Sequence, residues 1–421
     1  MSVAVPVSGQ PQAPVPDEPT GSRAARWVAY ALAIFVLVSL VRVLTGADDI
    51  DSAGALRAAL IAAVPIVLAG IGGLWSERAG VVNIGLEGMM IMGTLGAGYF
   101  GYHYGVVAGL LGAMAFGALG GLVHAIATVT FGVDHIVSGV AINIVAAGLA
   151  AFLAKAFFSG LEGGGPTQSP PLPRPVNLPL AFLADPLGEL EEKHWFLVSD
   201  AASLLRAVTD RISVVTVLAL VLVAFTGWVL WHTGFGLRLR SVGESPSAAE
   251  SLGVDVYRYK YIGVVVSGAL AGLGGAYLAL VAASGYQNGM TQGLGYIGLA
   301  AMIFGNWRPL GTLVAALLFG YTQSINLRGS TDSLHALLLV IAVVLVIVGV
   351  LMVVRRAPRN AALLGVAGLL FLIWFVATDS VSSKFTGMAP YVTTLLVLTF
   401  AAQQLRMPAA DGQTYRKGSA G

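Results

Sequence analysis

Twelve stretches of this 421-residue chain are apolar enough to sit in hydrocarbon, and no water-soluble fold can hide them all. They run over residues 27–44, 56–74, 81–102, 105–131, 136–158, 211–233, 260–283, 294–305, 310–327, 334–354, 361–377 and 389–405. A helix needs about 20 such residues to cross roughly 30 Å of hydrocarbon. The stretch 294–305 is too short for that, so it is expected to be re-entrant or broken, which leaves ten to twelve crossings. With 57% apolar and only 10% charged residues, the chain lacks the charged skin of a soluble protein, and its mean hydropathy is +0.82. The expected fold is an all-α polytopic membrane protein.

Orientation follows from charge. With the N-terminus inside, the internal segments are rich in Lys and Arg, including Arg355, Arg356 and Arg359, whereas Asp48, Asp49 and Asp51 fall outside. Both termini are therefore expected on the cytoplasmic side. Residues 1–26 read as a disordered cytoplasmic tail, 27–55 as an extra first helix with its external loop, and 56–354 as the core. Residues 355–405 read as two additional helices and 406–421 as a cytoplasmic tail. Two connections are longer than turns, the external segment 159–210 and the cytoplasmic segment 234–259.

An internal repeat reorganises the core. Leu68-Ala-Gly-Ile-Gly-Gly73 matches Leu270-Ala-Gly-Leu-Gly-Gly275, and Ile84-Gly-Leu-x-x-Met89 matches Ile297-Gly-Leu-x-x-Met302. The two copies of the first motif fall on spans of opposite direction, the signature of an inverted-topology repeat. Pairs of glycines four residues apart (Gly105/Gly109, Gly117/Gly121 and Gly268/Gly272) mark faces where helices can approach closely.

Gly80-Val-Val-Asn-Ile-Gly-Leu-Glu-Gly-Met-Met90 is the strongest local signal. Gly85 and Gly88 weaken a helix, and Asn83 and Glu87, four residues apart, would share one helix face. A carboxylate in a span is expensive unless it faces a cavity or a partner. Glu87 therefore either lines a solute path or fixes packing by pairing with a neighbouring helix or backbone amide. Asn143, Gln287, Asn288 and Tyr296 are further candidates for the path, with interhelical hydrogen bonding the alternative. His124 is read the same way. Ser76-Glu77-Arg78 reads as an interfacial turn, Trp228, Trp231 and His232 as an interfacial belt, and Asn306-Trp307-Arg308-Pro309 as the end of a broken span.

Within 234–259, Ser245-Pro246 is a good helix start, with a side-chain cap followed by a residue that has no amide hydrogen to lose. Gly253 can close the helix in the left-handed conformation. A short surface helix over 246–252, with small Ala248 and Ala249, suits docking into a partner's groove. Basic residues obeying the positive-inside rule account for Arg238, Arg240, Arg258 and Lys260 without such a partner.

Several functions lack their signatures. No phosphate-binding Gly-x-x-x-x-Gly-Lys-[Ser/Thr] loop, no metalloprotease motif and no catalytic cluster is present, so the chain does not read as an enzyme and no catalytic residue is assigned. There is no cysteine, and no metal ligand set is expected. A net charge of +2 gives a nucleic acid no footprint.

The run Leu74-Trp-Ser-Glu-Arg-Ala-Gly-Val-Val-Asn-Ile-Gly-Leu-Glu-Gly-Met-Met90 resembles the signature of permease subunits of bacterial ABC importers for nucleosides and simple sugars, within the branched-chain amino acid/ribose permease superfamily. Gly236-Leu-Arg-Leu-Arg-Ser-Val-Gly-Glu-Ser-Pro-x-Ala-Ala-x-x-Leu-Gly253 and Ser267-Gly-Ala-Leu-Ala-Gly-Leu-Gly-Gly-Ala276 resemble it too. The resemblance covers roughly 56–354 and is greatest to the nucleoside-type branch. It implies a type II, cobalamin-importer-like fold with two inverted halves. It also implies that Arg240, Glu244, Ser245, Pro246, Ala248, Ala249, Glu250 and Gly253 belong to a coupling helix that docks on an ATPase subunit. ATP and magnesium would bind there, with no cofactor on this chain. A second permease chain in a heterodimer, a lipid-anchored external binding protein that meets 159–210, and a place in the bacterial inner membrane are implied as well. The rival from another class is an ion-coupled secondary transporter with inverted repeats, for which Glu87 is the obvious acidic residue.

Overall fold

A computed structural model describes residues 20–328, 331–354, 358–381 and 405–418. Among these residues it is helical, with only isolated β-bridges. The first half contains α1 (Thr20–Thr45), α2 (Ala53–Arg78), α3 (Leu86–Tyr104), α4 (Val106–Ala125) with a π-helical turn over Ile126–Thr130, and α5 (His135–Phe158). Two short helices follow, α6 (Ala181–Glu191) and α7 (Val198–Ala207), then α8 (Val214–His232), α9 (Gly234–Glu244) and α10 (Pro246–Ser251). The second half contains α11 (Val256–Tyr277) with a π-helical turn over Leu278–Ala282, α12 (Leu294–Phe304), α13 (Pro309–Arg328), α14 (Thr331–Val354) and α15 (Pro358–Ala377).

The two helices that carry the repeated Leu-Ala-Gly motif form the centre. The apolar windows of α2 and α11 are each 78% buried, against 28% for those of α4 and α5. The two run antiparallel, since Gly263 faces Trp75 and Ala79, Gly72 faces Ser267 and Ala271, and Gly274 faces Pro65 and Leu68. Around them the packing obeys an exchange of halves. Helix α2 packs on α12 and α13 as α11 packs on α3 and α4, and α3 packs on α4 as α12 packs on α13. That exchange is the inverted repeat expected from the paired motifs.

Two of the three close-approach glycine pairs meet each other. Gly117 and Gly121 of α4 lie against Gly268 and Gly272 of α11, where a Cβ on Gly121 would come within 2.6 Å of the Val264 carbonyl oxygen. A Cβ on Gly272 would overlap the backbone of Ala113. Gly272→Leu is therefore expected to cost about 3 kcal/mol or more by overpacking. Size-exclusion profiles of the detergent-extracted protein should show the monodisperse peak lost; an unchanged peak would refute the close packing.

The peripheral helices gather at α14. Val41, Ala47 and Ile50 cluster with Ala336 and Val340 of α14, while α15 packs along α14 and the Phe375 carbonyl binds His335 Nε2 at 3.0 Å. Helix α1 already starts at Thr20, so residues 20–26, expected to be tail, are helical. The expected last span, 389–405, lies outside the described residues except for Leu405, as do residues 1–19 of the N-terminal tail.

Segment 159–210, expected as an irregular external connection, contains α6 and α7. Its buried side is polar. Asp200 of α7 pairs with Arg42 of α1 at 2.7 Å and accepts from Ser39, and Glu191 of α6 accepts from the Ala53 amide at the start of α2 at 2.8 Å. Upstream, Ser169 and Leu172 hydrogen-bond the backbone of Tyr286 and Ser284. The segment thus fastens α1, α2 and the chain after α11 at one end of the bundle; α9 and α10 lie at the other.

Candidate functional site

Both halves contain a helix that begins halfway through the bundle. After α2 ends at Arg78, residues 79–85 turn back at Gly80 (φ 78°) and run without helix until α3 starts at Leu86. Asn83 by then lies beside Ser267, near the middle of α11, and donates to its hydroxyl at 2.9 Å. In the second half, residues 283–293 run inward from the α6–α7 end, and α12 starts at Leu294. Its Gly298 lies against Ile66 and Gly70, near the middle of α2. Non-helical backbone at such depth survives only if its polar groups are paired.

Side chains and nearby backbone pair much of the first stretch, although Asn83 Oδ1 is buried without a hydrogen-bond partner. Lys260 Nζ donates to the Gly80 carbonyl at 3.2 Å and Ser76 Oγ to the Val81 carbonyl at 2.6 Å. The Val82 carbonyl accepts from His124 Nε2 at 2.9 Å, and the Val82 amide donates to His135 Nδ1 at 3.3 Å. That network assigns His124 its Nε2–H tautomer, with Nδ1 accepting from the Ser138 hydroxyl at 2.9 Å. His124 is thus an interhelical bond, as its position suggests. Ser267 and His135 escape sequence reasoning because their partners lie far away along the chain, and Lys260, expected only as a positive-inside residue, is buried on the Gly80 carbonyl for the same reason.

Glu87 ties the two broken helices together. Its carboxylate accepts from the Thr291 hydroxyl at 2.6 Å, the Gly293 amide at 2.9 Å and the Gly295 amide at 2.7 Å. These amides are the otherwise orphaned donors at the start of α12, where an anion is favoured by both hydrogen bonding and the helix dipole. Of the two readings of Glu87, the geometry is that of pairing with backbone amides. Asn143 of α5 does the matching task for α3. Its Oδ1 accepts from the Gly88 amide at 2.7 Å, and its Nδ2 donates to the Ile84 carbonyl and to the Tyr296 hydroxyl, each at 2.9 Å.

Asn83 and Glu87 do not share a helix face. Asn83 lies in the non-helical stretch before α3, so the four-residue spacing carries no helical geometry there. The structure gathers Asn83, Glu87, Asn143 and Tyr296 around the two helix starts. Tyr296 is 46% exposed, and Gln287 and Asn288, also exposed, sit nearer the α6–α7 end, where the Asn288 amide bonds the Thr167 carbonyl. Thr291 escapes the sequence reading because it precedes the Gly293 cap position of α12 by two residues and its hydroxyl partner, Glu87, lies in the other half. Two cavities of about 330 Å³ open elsewhere, one beside Arg57, Arg174 and Arg211 and one beside Arg42 and Asp51, and none of the six sequence-named residues lines either.

At the opposite end, α9 and α10 form a surface. Ser245 occupies the N-cap position and Pro246 the first turn of α10, but the Ser245 hydroxyl caps no amide. Its extended backbone (ψ 92°) turns the chain instead, and Gly253 (φ 80°) closes the helix as expected. Ala249 is buried beside Val242 and Val256, whereas Ser245, Ala248 and Gly253 face outward with Pro246 partly covered. Leu252, not singled out from the sequence, is 84% exposed at the tip. Arg240 turns back to bond the Leu230 carbonyl at 2.9 Å, with its guanidinium over Trp231, which Arg78 also approaches. Trp231 is therefore more than a belt residue.

Ser76-Glu77-Arg78 is likewise not a turn but the last residues of α2. Buried Glu77 accepts from Trp307 Nε1 at 2.6 Å, and Arg78 donates to the Trp307 carbonyl at 2.8 Å. Asn306 and Trp307 (φ 53° and 51°) form the sharp end of α12 that the sequence suggests.

The family described as branched-chain amino acid transport system, permease component, matches residues 55–354. The guanosine ABC transporter permease protein NupQ of Bacillus subtilis is 35% identical over 86% of this chain and 96% of its own length. The nucleoside ABC transporter permease protein NupC of Lactococcus lactis is 33% identical over 85% of this chain and 95% of its own. The putative glucose ABC transporter permease protein TsgC13 of Haloferax volcanii is 32% identical over 87% and 98%. No solved structure matches the chain. With two inverted halves, six helices among the described residues long and apolar enough to cross a bilayer, and relatives aligned almost end to end, the chain belongs to this family of transport permeases and is the membrane-spanning subunit of an ABC importer, not an enzyme.

Proposed function

We propose that the chain carries nucleosides, or sugars closely related to them, into the bacterial cell by alternating access across the cytoplasmic membrane. The α9–α10 end faces the cytoplasm, with both termini, and receives a separate ATPase subunit that binds ATP and magnesium. The α6–α7 end faces outward, toward a lipid-anchored binding protein. A second permease chain completes the path. The similarity to guanosine and nucleoside permeases over nearly the whole chain carries the choice of solute.

The site chemistry agrees with a neutral polar solute. Tyr296 offers an exposed ring on which a base or sugar can stack, and Gln287 and Asn288 offer amides for hydroxyl and base edges, while Asn143, its amide already engaged, holds Tyr296 in place. Two helix starts aimed at the middle of the bundle add partial positive charge there. Glu87 speaks against ion coupling, because its carboxylate is already occupied by three donors.

The external binding protein that delivers solute to this chain, purified without added solute, is the test of the solute class. Mass spectrometry of the released ligand should identify a purine or pyrimidine nucleoside. A free sugar would narrow the assignment to its second half, and a branched-chain amino acid would overturn it.

A further inference from the structure

Residues 405–418 return to the α9–α10 end and wedge into it, and this contact belongs to no role assigned above. The Ala410 amide donates to the Gly243 carbonyl of α9 at 2.9 Å, and the Ala409 amide to Glu244 at 3.2 Å. The Tyr415 hydroxyl donates to Glu250 of α10, and the Tyr415 ring lies beside Tyr257. On its other side the segment touches the broken-helix machinery. The Arg406 amide donates to Asn306 at the end of α12 at 2.7 Å. The Ala410 carbonyl crowds Gly80, and Gly412 lies against Val82.

Beneath it lies a buried charged cluster that the segment completes. Asp411, 7% exposed, comes in over Glu77, Arg78 and Lys260, and its carboxylate oxygens are buried without a conventional hydrogen-bond partner. A carboxyl group is taken out of water only where the surrounding structure holds it there. A tail lying loosely on the surface would leave Asp411 solvated.

We infer that residues 405–418 are a strap that ties the ATPase-facing helices α9 and α10 to the non-helical stretch 79–85 and to the end of α12, and so transmits movement of the coupling surface to the solute path. The strap rests on the importer reading above. No other described segment bonds α9, α10 and the end of α12 at once. Tyr415 and Asp411 act here as positioning residues.

Burial, with the neighbouring carboxyl of Glu77, holds Asp411 well above the ordinary carboxylate range, against the pull of Lys260. The docked strap therefore keeps a proton on this carboxyl pair that the released strap gives up in the ordinary carboxylate range, so docking is strongest at low pH and weakens as pH rises above that range. Cleavage by trypsin at Arg416 and Lys417, corrected for the enzyme's own pH profile on a free peptide, should accelerate from pH 6 to pH 9, and Asp411→Asn should flatten that rise.

The decisive experiment compares the full transporter in proteoliposomes, with its ATPase, second permease and binding protein, carrying either the whole chain or one ending at Leu405. Tritiated guanosine uptake and phosphate release are measured together. The shortened chain should still co-purify with the ATPase through α10, yet guanosine carried per ATP hydrolysed should fall roughly tenfold, a coupling loss of the usual allosteric size. Tyr415→Phe, which deletes only one hydroxyl, should lower the same ratio and serves if the shortened chain does not fold. An unchanged ratio in a working transporter overturns the strap alone, as does loss of ATPase association on shortening. Absence of ATP-driven uptake with the whole chain would overturn the importer reading itself.

Discussion

Replacing Glu87 by alanine is expected to destabilise the protein by about 3–5 kcal/mol and to abolish transport. The carboxylate satisfies three buried donors, the Thr291 hydroxyl and the Gly293 and Gly295 amides. Each buried donor left unmade costs about 1–3 kcal/mol, and the three losses overlap because they belong to one helix start. Glu87→Gln should retain part of this, since one amide oxygen can still accept while the side-chain nitrogen faces donors. Thermal unfolding followed by tryptophan fluorescence in detergent should rank wild type above Glu87→Gln above Glu87→Ala. Equal stability of the three would mean that the carboxylate does not hold α12.

A charge at the tip of the coupling surface should act differently. Leu252 is 84% exposed at the end of α10, among the small or polar residues Ser245, Ser247, Ala248 and Ser251. An exposed leucine is ordinary alone, but here it follows a helix whose buried side, Ala249, is already packed. Leu252→Asp should leave folding intact, because the side chain touches little of its own protein. It should weaken ATPase association at least tenfold, since a buried unpaired charge at an interface costs well over about 1.4 kcal/mol. Co-purification with the ATPase at matched expression checks this. Normal association of the aspartate variant would move the docking point away from α10.

Local patterns made these features legible to different degrees. Pro246 and Gly253 bound a helix that the structure contains, because a proline and a left-handed glycine each act within one turn of chain, whereas the side-chain cap expected of Ser245 does not form. The glycine pairs were legible as close-approach faces, and the structure adds that Gly117/Gly121 and Gly268/Gly272 meet. Gly85 and Gly88 mark a weakened helix in the sequence, and the structure has non-helical chain over 79–85, yet the four-residue spacing of Asn83 and Glu87 misleads. A helical face presumes continuous helix, and Gly80 ends that continuity before Asn83.

What remained hidden was the identity of distant partners. Thr291, Ser267 and Lys260 meet residues about 180 to 204 positions away, and one sequence carries no signal for such pairs. Buried Glu77 at the end of α2 was read as part of an exposed turn because Trp307, its partner, lies in the other half. The C-terminal strap was invisible for a further reason: Ala409-Ala410-Asp411-Gly412 has neither helical nor strand periodicity, and its order comes from the surface on which it lies.

The central claim is that this permease moves solute only when a partner ATPase hydrolyses ATP. Proteoliposomes containing the assembled transporter provide the direct measurement, with tritiated guanosine and binding protein on one side and ATP on the other. Uptake should require ATP, stop when a non-hydrolysable analogue replaces it, and ignore a collapsed proton gradient. Uptake that proceeds without ATP and follows an imposed proton gradient would contradict the account.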